Sequence, residues 1–218
     1  GPWEGSLSNS AETLLLRDQN GNPADRVRYA DEGSYPETPD GEGPSLELIN
    51  PGIENRYGPA WRASEEQGTP GRFNSNSQPD PDPIIAGIRH HPVTPTADES
   101  VRVLASVSDE RELRGVTLTW EVDGDNDSRE TIAMVDDGEG DDGVEGNGIY
   151  GAEIPAQSDL DIVAFWINAE AEGDQSTRAP ADAPERPCLY QVESSPPGEL
   201  RPLYRIIMRR SDLQNFRN

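Results

Sequence analysis

The side chains in this sequence whose types and spacing could support chemistry are concentrated in residues 134–155, MVDDGEGDDGVEGNGIYGAEIP. Asp136, Asp137, Glu139, Asp141, Asp142, Glu145 and Asn147 are interleaved there with Gly138, Gly140, Gly143, Gly146 and Gly148. Glycine permits positive φ, and Asp and Asn tolerate it, so a chain of tight turns is the expected backbone. Carboxylates this close repel one another, by roughly 1 kcal/mol per pair at about 4 Å even in bulk water. Three arrangements would relieve that repulsion. A hard cation such as Ca²⁺ would draw oxygens from Asp136, Asp137, Asp141, Asp142 and Asn147 and from turn carbonyls. A solvated hairpin loop would leave the charges to water. An Arg from a neighbouring element would neutralise them in place.

Other candidates give less. Asp123, Asp125 and Asp127 occupy positions one, three and five of an EF-hand loop. Ser128 and Met134 then stand where that loop needs Gly and Glu, so the run is a hairpin turn. His90 and His91 are adjacent on an expected strand, point to opposite faces and cannot readily chelate one metal. Cys188 is the single cysteine, which excludes a disulfide within the chain and suits a small apolar position at a strand start. No nucleophile elbow occurs, and the glycine-rich turn is lined with carboxylates that would repel phosphate. Paired carboxylates for glycoside hydrolysis have no local signature. No complete catalytic constellation emerges, so a non-catalytic chain is expected.

Charge narrows the setting. The formal net charge is −24, and all 18 basic residues are Arg. Such a surface repels nucleic acid phosphate and anionic lipid, so neither nucleic acid nor direct membrane insertion is expected. It fits an extracellular or cell-surface protein, where salt shortens the self-repulsion. No apolar run has the length of a membrane-spanning helix, and no signal peptide is recognisable. The opening residues enter directly into patterned sequence, as a fragment cut from a longer polypeptide would.

The elements that must position the acidic turn are strands. Hydrophobic residues make up only 32% while Gly and Pro together number 41, which favours short strands and many turns. Residues 13–17 form a short apolar strand, the Asn20-Gly21 dipeptide marks a hairpin turn, and a second strand follows over 24–29. Residues 45–49 alternate Leu46 and Leu48 about Glu47. The Pro- and Asp-rich stretch 77–83 is a stiff linker. Beyond it, candidate strands cover 84–90, 101–108, 115–122, 130–135, 148–154, 161–171 and 187–192. Val116, Leu118, Trp120 and Val122 keep a period of two, and 161–171 is apolar on both faces as a central strand should be. Seven such strands predict an immunoglobulin or fibronectin-III type sandwich over 84–195, with Trp120 and Trp166 as core anchors. Residues 203–208 suggest a further strand, and Ser211 to Gln214 has capping-box form at the start of a helix.

The series GSLSNSAETLLLRDQNGNPADRVRY, SLELI, Trp61-Arg62-Ala63-Ser64 and Gly68-Thr69-Pro70-Gly71 resembles the C-terminal half of a bacterial lamin-tail domain, an immunoglobulin-like sandwich. The departure is Ala11, where that pattern usually has Gly. VRVLASVSD, VTLTWEVDG, the acidic turn and PLYRIIMRRSDLQNF resemble, in that order, the linker region of proteins carrying a CotH-like (spore-coat protein H) kinase domain. Here Asn147 stands where Asp is more usual. The resemblance implies an all-β chain of tandem immunoglobulin/fibronectin-III-like sandwiches. Residues 1–76 would be the incomplete first sandwich, 77–83 the linker, 84–195 the second sandwich and 196–218 the strand-helix start of a kinase-like domain. It further implies a non-catalytic structural, adhesive or substrate-presenting region of a secreted bacterial protein. The alternatives are the front part of a secreted CotH-like kinase and a calcium-dependent binding module. Expected partners are the missing N-terminal strands and C-terminal domain of the same polypeptide, and a protein or glycan ligand of unknown identity.

Overall fold

A computed structural model describes residues 5–41, 43–140, 142–195 and 205–216. The chain is almost wholly β and divides into two units, residues 1–86 with 108–110 and residues 87–107 with 111–218.

The first unit opens on an antiparallel hairpin of β1 (Ala11–Arg17) and β2 (Pro23–Ala30), close to the bounds the Asn-Gly signal implies. Its turn is organised by Asp18, whose carboxylate accepts from the Asn20 and Asn22 amides at 2.8 and 2.9 Å. The Asn22 side-chain amide, donating to Asp18 Oδ2 at 3.1 Å, and then these backbone bonds hold the Asp18 carboxyl below its ordinary range. β3 (Leu46–Leu48) pairs with β4 (Trp61–Ala63), placing Leu46 opposite Ala63 and Leu48 opposite Trp61. Beneath them Ile49, Ile53, Ala60, Ile84 and Ala86 form a small core closed by Leu48, Tyr57 and Trp61. The 77–83 stretch is not a free spacer. The Gln78 amide donates to Ile49 O, Asn50 Nδ2 donates to Gln78 O, and Pro81 and Pro83 are buried. A proline-rich segment has few donors to satisfy, so it can lie against a core at little polar cost.

Glu47 alternates out of that core yet is only 4% exposed. Burial acts to raise its pKa, but donation from Thr69 Oγ1, Ser75 Oγ and the Ser75 amide outweighs it and leaves the carboxyl below its ordinary value.

The second unit is the sandwich. β5 (Ile84–His91) crosses the boundary between units and joins β6 (Val101–Ser108) and β9 (Ile149–Ile154) in a three-stranded sheet. The facing sheet runs β11-β10-β7-β8, built from β7 (Leu113–Val122), β8 (Asp125–Met134), β10 (Ile162–Ala171) and β11 (Ser176–Ala179). β12 (Cys188–Gln191) pairs with the other end of β10, so β11 and β12 share one edge. Every strand anticipated over 84–192 is present. The four-residue β11 is an addition, in a polar stretch without alternation to announce it.

Register explains the core. Trp120 lies opposite Phe165, Leu118 opposite Ile167 and Val116 opposite Ala169, so these six side chains share one face. Val101, Val103 and Ala105 pair with Ile154, Ala152 and Tyr150 on the other sheet. His90 packs on Phe165 and Tyr190, with ring centroids 5.9 and 5.3 Å away, and burial pushes the Tyr190 hydroxyl far up. Trp166 is buried as anticipated, but on the opposite face of its sheet from Phe165. The Arg129 guanidinium lies 5.5 Å from its ring centroid.

At the C-terminal end α1 (Arg210–Phe216) follows the helix expectation, while 205–209 are not a strand. Leu203 and Tyr204 lie outside the described residues. Side chains fasten 205–209 where a ladder would otherwise be needed, including an Arg205 to Glu193 ion pair.

Replacing Glu47 by Gln should destabilise the first unit by on the order of 1–3 kcal/mol near pH 7, since buried donors lose a charged acceptor. Its folded pKa is depressed, so this contribution is present above the unfolded value near about 4.3 and is lost as pH falls through the folded one. Denaturant unfolding from about pH 7 to about pH 3 should therefore show the two proteins converging at the acid end.

Candidate functional site: the acidic turn and the end of β7

The acidic turn leaves β8 through a bridge in which Val135 and Gly151 exchange backbone hydrogen bonds at 2.9 and 2.7 Å. It returns to β9 where the Val107 amide donates to Gly148 O. Between these ties Asp136 acts as a clamp. Its Oδ1 accepts from the Gly146 and Asn147 amides at 2.9 and 3.3 Å, and its Oδ2 from the Gly148 amide at 2.7 Å. Asn147 closes the turn from inside, donating from Nδ2 to Asp142 O at 2.8 Å and accepting the Ile149 amide on Oδ1 at 2.8 Å. Asp137 accepts the Glu139 amide at 3.0 Å and is exposed. Asp142 is wholly buried. Asp141 lies outside the described residues.

Arg102 of β6 enters this turn from the neighbouring strand. It donates from Nη2 to Glu139 O at 2.9 Å, and the same nitrogen is 3.9 Å from Asp142 Oδ2. Room for it comes from two glycines. Gly140 has φ +62°, and a Cβ there would stand 3.1 Å from the guanidinium carbon; at Gly151 a Cβ would come within 2.6 Å of Nη2. A charge from a neighbouring element is therefore brought to the turn, as one of the three arrangements requires. Among the described residues no three Asp, Glu, His or Cys side chains converge as metal ligands. The Tyr150 hydroxyl is raised by burial and then by the Asp136 charge, which places it in the field of the turn.

A second polar cluster lies at the opposite end of β7, and the sequence patterns did not single it out. Glu121 and Asp123 are 2% and 4% exposed. Arg129 Nη2 lies 2.7 Å from Glu121 Oε2. Arg209 donates from Nε to Asp123 Oδ1 at 2.9 Å and from Nη2 to Glu121 Oε1 at 3.1 Å, while its Nη1 reaches Pro184 O at 2.6 Å. The Arg209 pKa rises because these partners outweigh a burial effect that would lower it. The Arg210 amide donates to Asp123 Oδ2 at 2.7 Å, and Arg209 O accepts from the Leu213 amide at 3.0 Å. Asp123 thus caps α1 from a distant turn. The expected cap, Ser211, lies inside the first turn of the helix instead. The available signal was slight: Glu121 and Asp123 stand two residues apart where the Val116 to Val122 alternation ends.

Cys188 is half-buried at the start of β12, and burial pushes its thiol up, away from nucleophilic use. In the first unit an apolar groove of about 460 Å³ opens beside Leu14, Val27, Leu46 and Trp61. Comparison with protein-family models finds none that matches the chain, and comparison with curated proteins finds no similar one.

Two neighbouring aspartates that look equivalent in the sequence should differ in effect. Asp136→Ala strands three amides and should cost about 1–2 kcal/mol, whereas Asp137→Ala should stay within about 0.5 kcal/mol. Thermal unfolding of both variants beside the parent chain measures the difference.

Proposed function

We propose that this chain is a non-catalytic structural and presenting region of an extracellular bacterial protein. In this reading its sandwich holds the segment 205–216 at a fixed position and orientation. The observation that carries the reading is the Glu121, Asp123, Arg209 and Arg210 cluster. Two buried carboxylates on the sandwich are matched by two arginines of the segment, one through its guanidinium and one through its backbone amide. A free tail does not need buried charge; a rigid mount does. The acidic surface supports an extracellular setting and argues against nucleic acid as a partner.

The resemblance to lamin-tail and CotH-like proteins gives this mount a context. The groove beside Leu14 and Trp61 would receive preceding strands of the same polypeptide, and α1 would lead into a kinase-like domain. The alternative role, the front part of a secreted CotH-like kinase, is favoured by the helix at 210–216, where that resemblance places one. A coding sequence with no kinase-like domain after Asn218 would contradict it. Adhesion to a protein or glycan remains the role proposed for the exposed surface.

Asp123→Asn should loosen the segment without unfolding the sandwich. Limited trypsin digestion should then cut at Arg205, Arg209 and Arg210 at least about tenfold faster than in the parent chain, because removing one partner of a partly buried ion pair costs about 2–3 kcal/mol. Equal cleavage in both proteins would contradict the mount, and turnover of ATP or a glycan by the purified chain would contradict the non-catalytic reading.

A further inference from the structure

We infer that the acidic turn binds a hard divalent cation of the calcium class, with the Asp142 carboxylate as its buried ligand. Asp142 is 0% exposed, and neither of its carboxylate oxygens has a hydrogen-bond partner. A carboxylate removed from water without donors is among the most unfavourable states a side chain can adopt.

Five backbone amides of the turn are committed to other acceptors. The amides of Gly146, Asn147 and Gly148 go to Asp136, that of Glu139 to Asp137 and that of Ile149 to Asn147 Oδ1. The Asn147 side-chain amide is spent on the Asp142 carbonyl instead of its carboxylate. Arg102 Nη2, at 3.9 Å, stands outside hydrogen-bonding distance and donates to Glu139 O. In sequence the segment 136–145 carries six carboxylates, and the described residues bring one guanidinium, that of Arg102, to it. The turn therefore combines a buried carboxylate without hydrogen bonds and an excess of negative charge.

Those are the needs of Ca²⁺, which takes six to eight oxygens in flexible geometry and accepts carbonyls and water beside few carboxylates. Magnesium demands a near-ideal octahedron and fits less well. With one wholly buried carboxylate, the affinity belongs with weak extracellular modules, at a Kd of about 0.1–1 mM. This inference does not rest on the presenting role proposed above.

Tyr150, on β9 two residues beyond Gly148 where the turn re-enters the sheet, provides a built-in antenna. Titrating the full chain with Tb³⁺ should give sensitised luminescence that Ca²⁺ displaces. Asp142→Asn should weaken binding at least about tenfold, while Asp127→Asn, in the other acidic turn, should leave it unchanged. At fixed ionic strength about 10 mM CaCl₂ should raise the Tm of the parent chain over EDTA by about 5 °C. The Asp142→Asn variant should show no such rise. If that variant fails to fold, amide NMR of the parent chain decides: calcium-induced shifts confined to 136–149 support the site. No luminescence and no thermal shift, equal losses in both variants, or shifts spread over the acidic surface would overturn the inference and leave Asp142 to Arg102 alone.

Discussion

Two carboxylates buried at the end of β7 set the terms for the C-terminal part of this protein. Glu121 belongs to a central strand whose other face carries Val116, Leu118 and Trp120, so strand register forces it onto the opposite side of the sheet, and Asp123, just past the strand's end, is buried as well. That side is itself covered, which leaves water unable to solvate them. Arg129 from the adjacent strand and Arg209 from the segment after the sandwich must therefore approach. Once Arg209 is in place, its neighbour Arg210 presents an amide to Asp123, and α1 starts there. Replacing such a cluster by apolar residues could give equal stability. What the charges add is directional: a guanidinium and an amide fit two carboxylates in one arrangement only.

The same problem, a carboxylate away from water, is met differently elsewhere. Glu47 is satisfied by the hydroxyls of Thr69 and Ser75 together with the Ser75 amide, all neutral donors. Asp136 takes three consecutive backbone amides at the re-entry of the acidic turn and so dictates the turn's shape. Asp142 has neither solution within hydrogen-bond range. In a chain of net charge −24, acids are building material as well as surface, and neighbouring acids differ by what donates to them.

Much of the fold was legible in the sequence because period-two alternation survives in a sheet that packs on one face. Val116 to Val122 and Val101 to Val107 are the clearest cases, and their register confirms the faces the pattern implied. The Asn20-Gly21 hairpin was legible from turn chemistry alone. β11 was not, because its four residues are polar and lie at an edge. The face taken by Trp166 was also hidden, since a strand apolar on both sides does not say which side meets the other sheet. Sequence placed the acidic turn correctly but could not separate Asp136, which clamps amides, from Asp137, which stays at the surface. That distinction depends on Gly148 returning to Val107, a contact 41 residues apart in the chain. The spacing of Glu121 and Asp123 could not name their partner for the same reason: Arg209 is 86 to 88 residues away.

A rigid mount requires the segment 205–216 to move with the sandwich as one body, held by buried charge. Backbone ¹⁵N relaxation on the intact chain tests it most directly. The account predicts order parameters for Leu213 and its neighbours of about 0.85, equal to those of Phe165 and Ile167 in β10. Values below about 0.6 for α1, with β10 still rigid, would contradict it.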